Sequence, residues 1–248
     1  KGSKLEKPTP IQAQAIPVGL LGRDIVGIAE TGSGKTVAYL MPLLVHCAAQ
    51  PELQKGEGPI GLVMAPTREL AIQIEKETFK FNKNMGLRST TLAGGLSKYQ
   101  QFRMLKGGSE VVIATPGRMI DIVKMKGCNL HRCTFVVLDE ADMMLHLGFE
   151  PQIRSIVQNV RPSRQTLLFS ATLPAKIERM CADLLSQPLR ITVGTRGQDA
   201  ENVVQVVEVV ASEEAKWKWL SPRVEGMLAK GQLLVFVKSK QGAEDLAK

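Results

Sequence analysis

A glycine-rich segment, Ala29–Thr36, combines residue types that bind phosphate. It reads Ala-Glu-Thr-Gly-Ser-Gly-Lys-Thr and directly follows an apolar run. Glycines let backbone N–H groups turn inward around phosphate oxygens, and a helix that starts there adds the positive end of its dipole. In such loops the lysine, here Lys35, reaches the β- and γ-phosphates, and the hydroxyl, here Thr36, ligates Mg²⁺. Ala29 stands where a glycine is usual, but a predicted strand before and helix after favour phosphate binding over an inert turn.

A second candidate segment is acidic. Asp139, Glu140 and Asp142 come at the end of the apolar run Phe135–Leu138. A carboxylate at the end of a strand beside a phosphate loop is placed to hold Mg²⁺, usually through water. Glu140 could then orient and deprotonate an attacking water. Taken alone, these acidic residues would be better interpreted as the first turn of a helix, where negative charge interacts favourably with the helix dipole. Because a phosphate loop is also present, the Mg²⁺-binding interpretation is favoured instead.

Five further segments carry small, hydroxyl-bearing or basic residues. The last four each follow a predicted strand, so we expect them on the same sheet edge as the phosphate loop. Such residues can approach a sugar–phosphate backbone closely without reading bases. Taken singly, each is also ordinary turn or helix-entry chemistry. The segments are Pro8–Gln12, Pro66–Leu70, Gly94–Gly95, Thr115–Arg118 and Ser170–Thr172.

The elements that must position these residues are seven short β-branched runs alternating with helical stretches. Four runs are nearly continuous in apolar residues, which indicates strands covered on both faces. The alternation predicts an α/β domain with a mainly parallel sheet flanked by helices, one of them at Arg68–Lys83. The predicted strands are Asp24–Ile28, Gly61–Ala65, Arg88–Leu92, Glu110–Ala114, Phe135–Asp139, Gln165–Ser170 and Leu189–Val193.

A polar break at Gly194–Asp199 predicts a division of the chain. We predict a first domain at 1–195, a linker at 196–202, and the start of a second α/β domain at 203–248. About fifty residues are too few to close a core of their own. The predicted elements of the second part are strands at Val203–Val210 and Leu233–Val237 and helices at Glu213–Lys230, with a break near Pro222, and at Lys240–Lys248.

The composition and net charge limit the classes of protein and of partner that fit this chain. The net charge is +8, and residues 1–195 hold 24 basic and 16 acidic residues against 8 and 8 in 196–248. The surplus fits a polyanion partner, and it fits a merely soluble basic surface equally well. An apolar content of 44% with 23% charged residues excludes a disordered or fibrous chain. No apolar run is long enough for a membrane span, and no signal peptide opens the chain.

The four cysteines are scattered, and we interpret them as reduced thiols of an intracellular protein. Cys128, His131 and Cys133 offer three zinc-ligand types. A tetrahedral structural site needs a fourth, so we interpret this segment as a turn before a strand.

Together the segments resemble the DEAD-box family of ATP-dependent RNA helicases, over residues 8 to about 193 with every first-domain motif in order. The resemblance implies a RecA-like P-loop domain, ATP as substrate with Mg²⁺ as cofactor, and RNA as a partner bound through its backbone. Hydrolysis would be coupled to local duplex unwinding. The implied ATP-binding residues are Gln12, which recognises adenine, and Ala29, Glu30, Thr31, Gly32, Ser33, Gly34, Lys35 and Thr36.

The resemblance also implies further roles. Glu140, Asp139 and Lys35 would be catalytic, with Thr36 and Asp139 holding Mg²⁺ partly through water. The residues implied to couple hydrolysis to RNA binding are Asp142, Ser170 and Thr172. The residues implied to line the RNA path are Pro66, Thr67, Arg68, Gly94, Gly95, Thr115, Gly117 and Arg118.

Three departures qualify what the resemblance implies. The family's adenine-stacking aromatic residue would precede Lys1, and Met143 stands where an arginine is common. The second-domain motifs that supply arginine fingers are missing; because such arginines contribute about 10³–10⁵ in rate, we expect nucleotide binding with weak turnover. Two alternatives stay open: a P-loop ATPase acting on DNA or protein, and a non-catalytic RNA clamp.

The segment Gly148–Arg154 and the run through Ser170 resemble most the nuclear family members tied to pre-mRNA splicing. That similarity implies a nuclear location. We expect a monomer, and the sequence identifies no protein partner.

Overall fold

The structure is a computed structural model that describes residues 7–54, 56–82, 84–95, 97–194, 204 and 206–247. The chain divides into two compact units, Lys1–Arg196 and Gly197–Lys248. The first unit is an α/β domain in three layers, with one sheet between two layers of helices. Within the described ranges, none of the helices has the length and apolar character needed to cross a bilayer.

The sheet of the first unit has seven strands, all parallel, in the order β3-β4-β2-β5-β6-β1-β7. Strand β6 therefore lies between β1 and β5, and their carboxyl ends meet at one edge. The strands are β1 (Ile25–Ile28), β2 (Gly61–Met64), β3 (Ser89–Leu92), β4 (Val111–Ala114), β5 (Phe135–Leu138), β6 (Gln165–Ser170) and β7 (Leu189–Thr192).

Helices cover both faces of the sheet and make two hydrophobic cores. Side chains alternate between the faces along each strand, so Ile25 and Phe135 enter one core while Val26 and Val136 enter the other. Helices α1 to α3 contribute to the first core and α4 to α8 to the second. The helices are α1 (Pro10–Leu20), α2 (Lys35–Ala48), α3 (Arg68–Asn82), α4 (Lys98–Lys106), α5 (Pro116–Lys124), α6 (Ala141–His146), α7 (Glu150–Asn159) and α8 (Ala175–Leu184).

All seven predicted strands of the first unit are confirmed, each within one residue of its predicted ends. Strands β1, β2, β4 and β5 are buried along their whole length, as their continuous apolar sequences predict. The helix predicted at Arg68–Lys83 is confirmed through Asn82, and Lys83 lies outside the described residues. The turn predicted before β5 is also confirmed, with the Cys133 N–H donating to the Leu130 carbonyl.

The second unit has its predicted helices but lacks its predicted strands in the described residues. It contains α9 (Glu213–Leu220), a 3₁₀ turn at Ser221–Arg223, α10 (Val224–Leu228) and α11 (Lys240–Ala247), which confirms its predicted helices and the break near Pro222.

The two strands predicted in the second unit are wrong for the residues that are described. Neither 206–210 nor Leu233–Val237 is a strand, because a strand needs a hydrogen-bonded neighbour and no such pairing is formed by these residues. Val203, Gln205 and the predicted linker 196–202 lie outside the described residues.

Candidate active site

The phosphate loop connects β1 to α2. Gly32 and Gly34 have φ of 83° and 91°, a backbone region that favours glycine. The ammonium of buried Lys35 donates to the Ala29 carbonyl at 2.6 Å. An ammonium has three donors, so this bond fixes Lys35 under the loop and uses one of them.

Gln12 fastens the loop to helix α1. Its side-chain oxygen accepts from the Thr9 N–H at 3.1 Å, and its amide nitrogen donates to the Gly34 carbonyl at 3.1 Å. The side chain is only 4% exposed. A Cβ added at Gly34 would lie 2.5 Å from this amide nitrogen, so only glycine fits. Gln12 thus positions the phosphate loop, and its adenine contact stays a prediction.

The acidic segment faces the phosphate loop through a tyrosine. Tyr39 lies one turn after Lys35 on α2, is fully buried, and donates its hydroxyl to Asp139 Oδ2 at 2.8 Å. The Thr36 hydroxyl also interacts with that of Tyr39. Tyr39, Thr36 and Asp139 are therefore one hydrogen-bonded group, which places the carboxylate next to the predicted metal ligand of the loop.

Gly27 makes the position of Tyr39 possible. A Cβ at Gly27 would lie 2.5 Å from the Phe169 ring, and that ring packs against Tyr39 with centroids 5.5 Å apart. The glycine in β1 thus allows β6 to bring its aromatic side chain under Tyr39.

Burial controls the ionisation of this group. It raises the pKa of the Asp139 carboxyl to about 6, while the Tyr39 hydroxyl and the Lys35 ammonium act in the opposite direction. Burial, followed by the negative charge of Asp139, raises the pKa of Tyr39 well above its usual value. Tyr39 therefore stays a hydrogen-bond donor to Asp139 throughout the physiological pH range.

Glu140 has a left-handed backbone conformation, with φ of 52° and ψ of 52°, immediately before α6. A non-glycine residue in this region costs about 1–3 kcal/mol and persists where the surroundings impose it. The Glu140 N–H donates to Asp139 Oδ1 at 3.0 Å. This hydrogen bond helps to fix the Asp139 carboxylate at the turn.

Asp142, Ser170 and Thr172 join the end of β6 to the start of α6. Asp142 Oδ2 accepts from the Thr172 hydroxyl at 2.7 Å and from its N–H at 3.0 Å, and the Asp142 N–H donates to Ser170 Oγ at 3.3 Å. Partial burial opposes ionisation of Asp142, but these hydrogen bonds outweigh it and lower its pKa. The three predicted coupling residues thus form one network beside the acidic pair.

The donor set suits Mg²⁺ only together with a phosphate ligand. Within the described ranges, no three His, Cys, Asp or Glu side chains are grouped so that they could hold a metal ion. Mg²⁺ is typically held by one or two carboxylates with waters and substrate phosphates. One carboxylate, Asp139, and one hydroxyl, Thr36, beside a phosphate loop match that arrangement.

The residues predicted to line an RNA path lie on the other half of the same sheet edge. They follow β2, β3 and β4, whereas the phosphate loop, the acidic segment and the coupling network follow β1, β5 and β6. Arg68 and Gly95 are adjacent, since a Cβ at Gly95 would lie 2.6 Å from the Arg68 guanidinium. The Thr115 N–H donates to the Leu92 carbonyl and so links the loops after β4 and β3.

Arg118 is held by a residue that the sequence analysis did not single out. The side chain is 9% exposed and donates to Gln101 Oε1 at 3.0 Å, and the buried Gln101 amide donates to the Ala93 carbonyl at 3.1 Å. Arg118, in the first turn of α5, thus also stabilises the loop after β3 through Gln101. The only sequence signal for Gln101 was that a polar glutamine stands at a helical position where an apolar, buried residue is expected.

Tyr39 also escaped the sequence analysis, although it lies four residues after Lys35. We expect Tyr39→Phe to lower the free energy of unfolding by about 1–3 kcal/mol, because the buried Asp139 oxygen loses its donor. Chemical denaturation measures the change. Tyr99→Phe is the matched control, since Tyr99 is 70% exposed. Equal losses in the two variants would show that the Tyr39 hydroxyl has no special role.

The raised pKa of Asp139 predicts a stability change with pH. The folded-state pKa of about 6 exceeds the ordinary aspartate pKa of 3.8, so the folded state binds the extra proton and stability falls as pH rises between those values. Asp139→Asn removes this dependence. Between pH 4.5 and pH 7.5 we therefore expect the free energy of unfolding of the wild type to fall by about 2 kcal/mol more than that of the variant. Denaturation at both pH values tests this, and a constant difference would contradict it.

Comparison with known proteins gives a consistent result. The family model for the DEAD/DEAH box helicase matches residues 9–180. DEAD-box ATP-dependent RNA helicase 24 of Arabidopsis thaliana is 53% identical over 99% of this chain and 32% of its own length. ATP-dependent RNA helicase DDX42 of Xenopus laevis is 51% identical over 99% of this chain and 26% of its own length.

A solved structure has a similar fold. The crystal structure of the yeast DEAD-box splicing factor Prp28 is 36% identical, with a TM-score of 0.73, over 97% of this chain and 58% of that one. The chain spans about a third or less of the length of the curated relatives.

Proposed function

The chain belongs to the DEAD/DEAH box helicase family, and we propose on that premise that it is the ATP-binding part of an RNA helicase. In the intact protein, RNA would stimulate ATP hydrolysis, and hydrolysis would drive local unwinding of RNA duplexes or remodelling of RNA–protein complexes.

One observation carries this proposal: the Tyr39–Asp139 hydrogen bond at 2.8 Å. It joins α2, the helix that begins within the phosphate loop, to the acidic segment after β5, although Tyr39 and Asp139 are 100 residues apart in sequence. A triphosphate on the amides of Gly32–Thr36 would then lie within reach of both carboxylates.

We assign the chemistry as follows. Lys35 binds the β- and γ-phosphates, and Thr36 with Asp139 would hold Mg²⁺, partly through water. A bound Mg²⁺ would neutralise charge on the phosphates. Glu140 would orient and deprotonate the attacking water. Gln12 would recognise adenine at the other end of the loop.

The second half of the edge would bind the RNA backbone. Its small residues, hydroxyls and the Arg68 guanidinium suit phosphate and sugar contacts that are independent of base sequence. The Asp142–Thr172 network would transmit a change at the acidic pair toward other parts of the protein; its hydrogen bonds at the end of β6 support this role.

We further propose that the second unit begins a second RecA-like domain, which would supply arginine fingers. Since these contribute about 10³–10⁵ in rate, this chain should bind ATP and hydrolyse it slowly. A nuclear location and a monomeric state complete the proposal. The similarity to a splicing factor and the four free cysteines support a reducing, intracellular location.

An ATPase assay on the full-length protein tests the function. We expect hydrolysis to need Mg²⁺ and to rise on addition of single-stranded RNA but not of DNA of the same sequence. Equal stimulation by DNA, or stimulation by neither, would indicate an ATPase with another substrate. RNA binding without any turnover would indicate a non-catalytic clamp.

A further inference from the structure

The first unit has a large cavity at the sheet edge opposite the phosphate loop. It lies where β2, β3, β4 and β5 begin, and its volume is about 550 Å³. Three segments wall it: 53–54 with 56–59 before β2, 105–109 before β4 and 126–131 before β5. No residue assigned to ATP or RNA lines it.

The charge in this cavity, which we call the basic cavity, is positive and unneutralised. Lys106 and Lys126 line it, are exposed, and make no ion pair within the described part of the chain. The Lys106 ammonium lies 5.3 Å from the centre of the Phe102 ring. Among the described residues, Glu57 is the one carboxylate that lines the cavity, and it is paired with Arg132 at 2.9 Å.

Arg88 adds little to this surplus. It lines the basic cavity too, but its guanidinium is paired with Glu110 at 2.6 Å. Burial opposes the ionisation of Glu110, and the Arg88 hydrogen bonds outweigh it and lower the Glu110 pKa. The two lysines are therefore the charges that remain for an acidic ligand.

A second depression of about 410 Å³ adjoins the basic cavity, and the two share Val123, Leu130 and Asn159 as lining residues. It lies between α5 and α7 and is mostly aliphatic, so we call it the aliphatic groove. Its further apolar lining residues are Ile120, Pro151 and Ile156.

Gln152 lines the aliphatic groove, and its side-chain oxygen is buried without a hydrogen-bond partner in the described part of the chain. A buried oxygen left unpaired costs about 1–3 kcal/mol.

We propose that the basic cavity and the aliphatic groove together bind an extended peptide from a protein partner, with acidic residues next to aliphatic ones. The acidic residues would pair with Lys106 and Lys126. The aliphatic residues would bury against Ile120 and Pro151, in the way that extended peptides place alternate side chains in pockets.

The same surface is poorly suited to RNA. Binding of single-stranded nucleic acid normally combines basic residues with aromatic side chains on which bases stack. Neither the basic cavity nor the aliphatic groove is lined by Phe, Tyr or Trp among the described residues. An aliphatic wall instead matches aliphatic side chains. Because the surface lies at the opposite sheet edge, the peptide and ATP can bind at the same time.

The test uses this chain and fluorescent synthetic peptides that join a short acidic block to a short aliphatic block, in both orders and with spacers of several lengths. Fluorescence anisotropy measures the affinities. We expect at least one arrangement to bind, and the same peptide with lysines in place of the acidic block not to bind. The double variant Lys106→Glu/Lys126→Glu should weaken binding about tenfold or more. Lys76→Glu, an exposed lysine on α3, is its matched control.

Ser155→Trp tests the aliphatic groove separately. Ser155 is exposed on α7 and lines the groove, so a tryptophan there fills the groove without entering the core. Binding should fall about tenfold or more, whereas Gln158→Trp on the same helix should leave it unchanged. Unchanged thermal unfolding of each variant excludes misfolding as the cause.

Three results would overturn the proposal. The first is that no acidic–aliphatic arrangement binds more tightly than its lysine counterpart. The second is that the control variants lose as much affinity as Ser155→Trp and the double lysine variant. The third is that a single-stranded oligouridylate binds and is released by Lys106→Glu/Lys126→Glu while no peptide binds, which would make the surface a nucleic-acid site.

Discussion

Lys35→Ala should lower the affinity of this chain for ATP by about two to three orders of magnitude. Truncating one partner of a buried, hydrogen-bonded charge pair costs about 2–5 kcal/mol, and each 1.4 kcal/mol is a factor of ten. Lys35 is buried, and its ammonium donates to the Ala29 carbonyl under the loop. Titration with a fluorescent ATP analogue measures the loss.

The control for this variant is Lys76→Ala, which removes an exposed lysine from α3 and should leave the affinity unchanged. Circular dichroism and thermal unfolding show whether the substitution alters the fold or its stability. If a folded Lys35→Ala chain bound ATP as tightly as wild type, the phosphate loop would not be the nucleotide site.

Glu140→Gln should stop hydrolysis while leaving ATP binding within a few-fold of wild type. Glutamine keeps the shape and the left-handed backbone of Glu140 but cannot accept the proton of an attacking water. General-base catalysis contributes about 10²–10⁴ in rate, so turnover should fall by that factor. RNA-stimulated ATPase activity of the full-length protein and an ATP titration of the same variant separate the two effects.

Glu52→Gln is the matched control, because Glu52 is exposed and lies before β2 at the other edge of the sheet. Normal RNA-stimulated hydrolysis by Glu140→Gln would remove Glu140 as the base. A parallel loss of binding and turnover would instead make Glu140 part of the nucleotide pocket.

These two predictions rest on residues that local sequence identifies well. The roles proposed for Ala29–Thr36 and Asp139–Asp142 depend on residue types and spacings that lie within a few neighbouring residues, and each segment follows a short apolar run. The strands themselves were equally predictable, because four of them are buried on both faces and carry almost only apolar residues.

Residues that act over long distances in sequence were not predictable in this way. Tyr39 looks like one more apolar-face residue of α2 until Asp139, 100 residues later, is placed against its hydroxyl. Gln101 likewise gains its role only when Arg118 and Ala93 meet on either side of it. The strands predicted in the second unit were wrong because propensity alone cannot supply the hydrogen-bonded neighbour that a strand requires.

The sequence by itself determined the α/β class of the first unit and predicted the chemistry proposed at each loop, since glycine spacing, carboxylates and apolar runs act within a turn or a strand. The tertiary structure alone decided the strand order β3-β4-β2-β5-β6-β1-β7. That order places the phosphate loop and the acidic pair on either side of β6 and leaves the other half of the edge to Arg68 and its neighbours. The physical reason is that pairing between distant strands depends on how all the helices pack over both faces at once, and no local pattern encodes that sum.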